Sequence, residues 1–136
     1  MAGILLKLGL FALLKFVFPG FAAASSVYTP LVFLISLLGI IYASCSTVIQ
    51  IDMKKLVAYS SVAHMNFAVL GMFSFNFYGL VGSISLMLSH GLVSSGLFIC
   101  VGSLYDRYKT RLFLYYGGLV RYMPTFSLFF FTLVLA

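Results

Sequence analysis

Long apolar runs separated by short polar connections dominate the pattern of positions along the chain. A helix that crosses a bilayer needs about 20 residues, with a range of about 17–25. Four runs are long enough to do so: Ala2–Phe18, Thr29–Ile49, Lys54–Phe73 and Gly79–Leu104. A fifth run opens near Pro124 and its 13 residues to Ala136 are too few to cross at about 1.5 Å per residue. The pattern predicts an all-α integral membrane protein with four transmembrane helices and a partial fifth, in one domain over residues 1–136.

Local signals place the helix ends. Pro19-Gly20 is expected to stop the first helix, because proline and glycine both interrupt helical patterns. Pro30 is expected in the first turn of the second helix, where its missing N–H costs nothing. Asp52 is expected to be the N-cap of the third helix, with a carboxylate oxygen accepting an unpaired backbone N–H.

Composition supports the membrane assignment and the distribution of charge predicts the topology. The chain is 63% hydrophobic and 7% charged, with a mean hydropathy of +1.18 and a net charge of +6. Connections 20–28 and 74–78 carry no charge, whereas connections 50–55 and 105–123 carry six of the eight basic residues together with Asp52 and Asp106. With four crossings, both basic loops fall on one face. Positively charged loops mark the cytoplasmic or matrix side.

Several function classes find no support in the sequence. Cys45 and Cys100 lie far apart in apolar runs and are expected to be free thiols. No Cys/His pair has metal-ligand spacing, no glycine-rich phosphate loop occurs, and no Ser/His pair is backed by a carboxylate. Redox, hydrolytic and metal chemistry are therefore not expected in this chain.

Two histidines within apolar helices are candidates for chemistry. His90 lies on a stripe of small and polar residues in the fourth helix, and His64 follows Ser60 by one helical turn in the third. One interpretation is helix packing, with polar contacts that contribute about 0.6 kcal/mol each. The other is a proton relay, because the histidine pKa near 6.5 permits proton exchange at working pH. The two histidines, each with serine nearby, favour a hydrated channel.

Two lysines allow two interpretations each, and one basic segment has a single expected role. Lys7 could extend to the lipid headgroups or, if another chain completes the first helix, lie at membrane depth where burial favours release of its proton. Lys55 could serve the topology or act as a cation at a channel mouth. Residues 105–111 are expected to form a loop or surface helix that fixes the orientation.

Three motifs together point to a family. The run from Asp52 to Met65 (DMKKLVAYSSVAHM) resembles the core motif of the antiporter-like subunits of respiratory complex I. The run SHGLVSSGLF at 89–98, followed by LYDRYKTR at 104–111, narrows the resemblance to the subunit 4 family of NADH dehydrogenase. GILLKLG at 3–9 resembles the lysine-bearing eighth helix of that family. The match extends along essentially the whole chain.

The resemblance implies roles for particular residues. Lys7, His64 and His90 would be the protonatable groups of a proton-translocation path, and the residues lining it would be Ser60, Ser61, Ser89 and Lys55. The chain would belong to a proton-pumping NADH:ubiquinone oxidoreductase in the mitochondrial inner membrane, with loops 50–55 and 105–123 on the matrix side. Its partners would be other membrane-arm subunits and lipids, without nucleic acid. NADH, FMN, iron–sulfur clusters and ubiquinone would bind elsewhere in the complex.

The resemblance covers helices eight to eleven and the start of twelve of a fourteen-helix subunit. We therefore expect the chain to be one part of a split subunit 4, completed by other polypeptides. Two alternatives remain open: a subunit of a multi-chain cation/proton antiporter, and a purely structural helix bundle.

Overall fold

A computed structural model describes residues 3–136, which are helical over most of their length. In chain order the elements are α1 (Leu5–Ala12), a π-helical turn (Leu13–Val17), α2 (Phe18–Gly20), α3 (Ala22–Ile49), α4 (Met53–Phe73), α5 (Phe77–Tyr108), a 3₁₀ turn (Phe113–Tyr116), α6 (Leu119–Tyr122) and α7 (Pro124–Leu135). The predicted all-α membrane fold is confirmed. Met1 and Ala2, and with them the predicted start of the first helix, lie outside the described residues.

Three helices of the described residues are long and apolar enough to cross a membrane. They are α3, α4 and α5, with 28, 21 and 32 residues. The first predicted segment consists of three consecutive helical pieces of 8, 5 and 3 residues, so its crossing stays a prediction. Helix α7 has 12 residues, in agreement with the short fifth element that the sequence predicts.

The predicted stop at Pro19-Gly20 agrees with the structure. The first helical segment ends at Gly20, because the backbone of Phe21 leaves the helical region (φ −130°, ψ 42°). Proline is tolerated in the first turn of a helix, and Pro19 occupies that position in α2. The chain leaves the helix directly after this pair, at Phe21.

The predicted start of the second helix at Thr29 is wrong, because α3 begins at Ala22 and Pro30 lies in its interior. The segment predicted as the uncharged connection 20–28 is therefore mostly helical. In hydrocarbon an irregular backbone would leave polar groups unpaired, so a helix tolerates proline there when nearby side chains supply hydrogen bonds. The Thr29 hydroxyl donates to the Ser25 carbonyl at 2.9 Å, directly before the Ser26 carbonyl, which lacks its i+4 donor because Pro30 has no N–H.

Helix α4 begins where predicted, but its N-cap differs. Asp52 occupies the N-cap position without a side-chain capping bond. Its carboxylate lies 3.4 Å from the Nζ of Lys55, and the first N–H of the helix, from Met53, donates to the Arg111 carbonyl at 3.1 Å. A backbone carbonyl that is distant in sequence thus replaces the expected side-chain cap.

The two basic loops lie together at one end of the bundle. Asp52 and Leu112 form an antiparallel bridge, and the N–H of Phe113 donates to the Ile51 carbonyl at 3.1 Å. Residues Tyr105–Tyr108, predicted as part of a loop or surface helix, continue α5 until Lys109 ends it in a left-handed conformation (φ 54°). The sequence-based expectation that both loops share a face agrees with this arrangement.

Helix α4 lies at the centre of the packing. One buried cluster joins α1, α4 and α5 through Leu10, Met65, Ala68, Met72, Phe73 and Met87. A second cluster joins the start of α4 to the end of α5 through Met53, Val57, Val101 and Leu104. Helices α4 and α5 approach closely at their connection, where a Cβ on Gly79 would lie 2.6 Å from the Gly71 carbonyl oxygen. These contacts fix the relative positions of the helices that carry the candidate residues.

Candidate functional site

Helix α1 lies against the middle of α5 at a contact between two glycines. A Cβ added to Gly91 would lie 3.7 Å from the Gly3 carbonyl oxygen and 3.8 Å from Cε of Lys7. Small residues allow helix backbones to approach each other in membranes. This approach places Nζ of Lys7 2.7 Å from Nδ1 of His90, and both residues are half-buried.

His90 also faces the neighbouring helix. Its ring centroid lies 5.5 Å from that of His64 on α4, with an angle of 52° between the ring planes. No direct hydrogen bond joins the two rings within residues 3–136, and a single water molecule could bridge such a separation. The structure therefore brings Lys7, His90 and His64 into one row, contributed by three helices.

A cavity of about 620 Å³ lies between α4, α5 and the end of α7. Its polar lining comes from six side chains on α4 and α5: Ser60, Ser61, His64, Ser89, His90 and Ser94. Apolar residues complete it, from Met53 at the start of α4 to Phe113 near the basic loops. The cavity thus extends from the two histidines toward the end of the bundle that carries the basic loops. Lys7 is not in its lining, so His90 lies between Lys7 and the cavity.

The lining serines donate their hydroxyl hydrogens to the backbone of their own helices. Ser60 and Ser61 both donate to the Val57 carbonyl, at 2.9 and 3.0 Å. Ser89 donates to the Leu86 carbonyl at 3.2 Å. Because each hydroxyl oxygen retains lone pairs, these serines remain acceptors toward water or an imidazole N–H in the cavity.

The structure brings most of the predicted residues together but not all of them. Ser60, Ser61 and Ser89 line the same cavity as the two histidines, and Lys7 contacts it through His90. Lys55 does not line this cavity. It is exposed, with 66% of its side-chain surface accessible, and it pairs with Asp52.

Ser94 was not among the residues predicted to line the path. This residue is 2% exposed and lines the cavity one turn after His90. It belongs to the same stripe of small and polar residues, so the helical spacing carried the signal. Phe113 was also not predicted to line the cavity, because it lies in a short connection that gives no periodic signal.

The comparisons with known proteins decide the family. The chain matches the membrane family described as NADH:quinone oxidoreductase/Mrp antiporter over residues 1–136. The chain belongs to this NADH:quinone oxidoreductase/Mrp antiporter family. The resemblance to subunit 4 is confirmed at the level of curated relatives, each called NADH-ubiquinone oxidoreductase chain 4.

Three such relatives match the whole chain. The protein of Acanthamoeba castellanii is 57% identical, that of Marchantia polymorpha 59% and that of Triticum aestivum 60%, each over 136 residues. The aligned part is 27–28% of the length of these relatives. The chain therefore spans little more than a quarter of the curated proteins it matches.

Proposed function

We propose that the chain contributes part of the proton-translocation path in a membrane-arm subunit of proton-pumping NADH:ubiquinone oxidoreductase. The observation that carries this proposal is the row formed by Lys7, His90 and His64 beside a cavity lined with hydroxyl groups. Ionisable groups within membrane-spanning helices are costly and commonly mark ion or proton pathways. The names of the relatives support the assignment to this complex.

The contact between Lys7 and His90 allows a balanced proton transfer. The Lys7 ammonium donates a hydrogen to Nδ1 of a neutral His90 ring that carries its own hydrogen on Nε2. When that proton moves to Nδ1, the lysine becomes a neutral amine and the histidine an imidazolium. The imidazolium then releases its other proton from Nε2, so the proton enters at one ring nitrogen and leaves from the other.

The cavity provides a route for the released proton. A bridging water would accept it and pass it to His64, from which a row of waters accepting and donating along Ser60 and Ser61 leads toward the start of α4. Moving one proton across 100 mV requires about 2.3 kcal/mol. Quinone reduction elsewhere in the complex would supply this energy, and the chain itself would carry out no redox chemistry.

The setting of the chain follows from the same proposal. We place it in the mitochondrial inner membrane with loops 50–55 and 105–123 on the matrix side, because basic loops stay on that side. Its partners are other membrane-arm subunits of the complex, including those that provide the remainder of subunit 4. NADH, FMN, iron–sulfur clusters and ubiquinone bind in other chains.

The test is the variant His90→Ala in the intact membrane assembly, reconstituted in proteoliposomes. We expect the number of protons moved per NADH oxidised to fall, while the assembly still migrates as one species on a native gel. Ser85→Ala is the matched control, because Ser85 lies on the same helix outside the cavity lining.

Three other outcomes of this experiment would contradict the proposal. Loss of assembly in His90→Ala but not in the control would indicate a structural helix bundle. Unchanged pumping in an intact assembly would exclude His90 from the path. Dependence of transport on sodium would favour a subunit of a cation/proton antiporter, which the same family also includes.

A further inference from the structure

Two cations share one aromatic ring at the end of α5. Cζ of Arg111 lies 4.7 Å from the centroid of the Tyr105 ring, and Nζ of Lys109 lies 6.0 Å from the same centroid. A cation is attracted to the face of an aromatic ring at distances up to about 6 Å. The left-handed backbone of Lys109 (φ 54°) turns the chain at this point and brings the two side chains together.

No carboxylate within residues 3–136 balances this pair of charges. Asp106 is adjacent in sequence but forms no ion pair with a residue that the structure describes, and Asp52 is occupied by Lys55. Lys109 and Arg111 are both exposed. An anion placed between two such charges would reduce their mutual repulsion.

An apolar cavity of about 520 Å³ opens beside the cations. Its lining contains Leu104, Phe113, Tyr116, Leu119, Val120, Phe126 and Phe130. Tyr116 connects the cavity to the cations, because its hydroxyl donates to the Thr110 carbonyl at 2.5 Å and its ring lies 5.8 Å from that of Tyr108. On the other side Nη1 of Arg107 lies 3.9 Å from Sδ of Met123, at the start of α7.

The surrounding surface has the composition of a membrane interface. The segment after the cations exposes large apolar and aromatic side chains, with Leu114 86%, Tyr115 69%, Val120 68% and Tyr122 80% accessible. Aromatic residues with a polar tip are favoured at the level of the headgroups, and basic residues attract anionic lipid at about 1 kcal/mol each. Both cations follow the end of α5, a helix long and apolar enough to cross a membrane, so we expect them at this level.

We propose that this surface binds one anionic phospholipid, with its phosphate between Lys109 and Arg111 and an acyl chain in the apolar cavity. The charge of the headgroup complements the unbalanced cation pair, and the cavity provides the apolar volume that a free phosphate would not use. None of these cations contacts Lys7, His64 or His90 within the described residues. The apolar cavity adjoins the one beside the histidines, because Met53, Phe113, Phe130 and Val134 line both.

The test uses the membrane assembly that contains the chain, transferred into phosphatidylcholine vesicles with a small fraction of a photoactivatable phosphatidylglycerol. After illumination, the labelled peptides are identified by mass spectrometry. We expect label in residues 112–130, and we expect Lys109→Gln with Arg111→Gln to reduce it about 30-fold, the effect of two basic residues near the surface. The matched control is Lys54→Gln with Lys55→Gln, which removes two charges from the same end of the bundle and is expected to keep the label.

Three results would overturn the proposal. An equal loss of label in both double variants would mean diffuse attraction, and equal labelling by a photoactivatable phosphatidylcholine would mean that the headgroup is not selected. A protein crosslink to residues 112–130 in place of the lipid would mean that another subunit covers the surface.

The dependence of labelling on salt provides a second test, which starts from the unmodified assembly. High salt screens exposed charges, so label from phosphatidylglycerol should fall as ionic strength rises while any label from phosphatidylcholine stays constant. The exchanged pair Lys109→Arg with Arg111→Lys should retain the label, since both charges remain. Label that is insensitive to salt would contradict binding through the cation pair.

Discussion

The side-chain nitrogens of Lys7 and His90 lie 2.7 Å apart, although 83 positions separate the two residues in the chain. At this distance one hydrogen lies between the two nitrogens, so one partner donates and the other accepts. The pair therefore cannot hold an ammonium and an imidazolium at once without losing this hydrogen bond. Arrival of a second proton at either residue favours release of a proton from the other.

Replacing Lys7 by methionine tests this relationship. Lys7→Met keeps a long side chain but removes the donor, and we expect proton pumping to fall about 10²-fold or more, the contribution of a positioned proton-transfer group. The measurement is the rate of proton uptake in proteoliposomes at a fixed rate of NADH oxidation. Lys15→Met is the control, because Lys15 is exposed and lies near the Phe11 ring, away from His90. Equal pumping by the two variants would contradict the assignment of Lys7.

The connection between α4 and α5 leaves no room for a side chain at Gly79. A Cβ there would lie 2.1 Å from Oγ of Ser74 and 2.6 Å from the Gly71 carbonyl oxygen, and the backbone contact cannot be relieved by rotating a side chain. We expect Gly79→Ala to destabilise the assembly by about 1–3 kcal/mol. Gly82→Ala is the control, because no atom lies within 4 Å of its added Cβ. Thermal unfolding of the purified assembly should show a lower Tm for the first variant only.

At Gly39 the contact between α3 and α4 is made by a side chain, whereas the contact at Gly79 involves the backbone. A Cβ on Gly39 would lie 2.7 Å from Nδ2 of Asn66. We expect Gly39→Ala to be destabilising by about 1 kcal/mol, and we expect Asn66→Ala to relieve part of that cost when the two are combined. A double-mutant cycle of Tm values measures this coupling. Strict additivity of the two changes would contradict the described contact.

The ion pair between Asp52 and Lys55 should contribute little to stability. The side chains are 31% and 66% accessible, and exposed pairs typically contribute about 0.2–1 kcal/mol. We therefore expect Asp52→Ala to shift the Tm of the assembly slightly and to leave pumping unchanged, because the side chain makes no capping bond. A large loss of stability would mean that the Asp52 side chain caps α4 after all.

Much of the helical layout could be predicted because hydropathy and spacing determine it. The predicted helix Lys54–Phe73 differs from α4 by one residue at its start. The stripe around His90 follows from a period of about 3.6 residues, which also places Ser94 on the face that lines the cavity. These features depend on neighbours along the same helix.

Contacts between helices could not be predicted in the same way. The pairing of Lys7 with His90 depends on how closely α1 approaches α5 at Gly91, and the sequence leaves Lys7 either near the headgroups or at depth. The interior position of Pro30 depends on the environment, because hydrocarbon penalises an unpaired backbone more than a helix penalises proline. Sequence rules derived mainly from soluble helices therefore place a proline at a helix boundary even where a membrane helix continues through it.

The hydrogen bonds of the cavity serines determine how any row of water beside them is held. Each hydroxyl hydrogen points back to a carbonyl of its own helix, so adjoining waters must point a hydrogen toward the serine oxygen. After one proton has hopped along such a row, every water in it is reversed and must rotate before the next can follow. A water can keep one hydrogen on a serine oxygen in both orientations of the row, so the serines would hold the waters in place through each reversal.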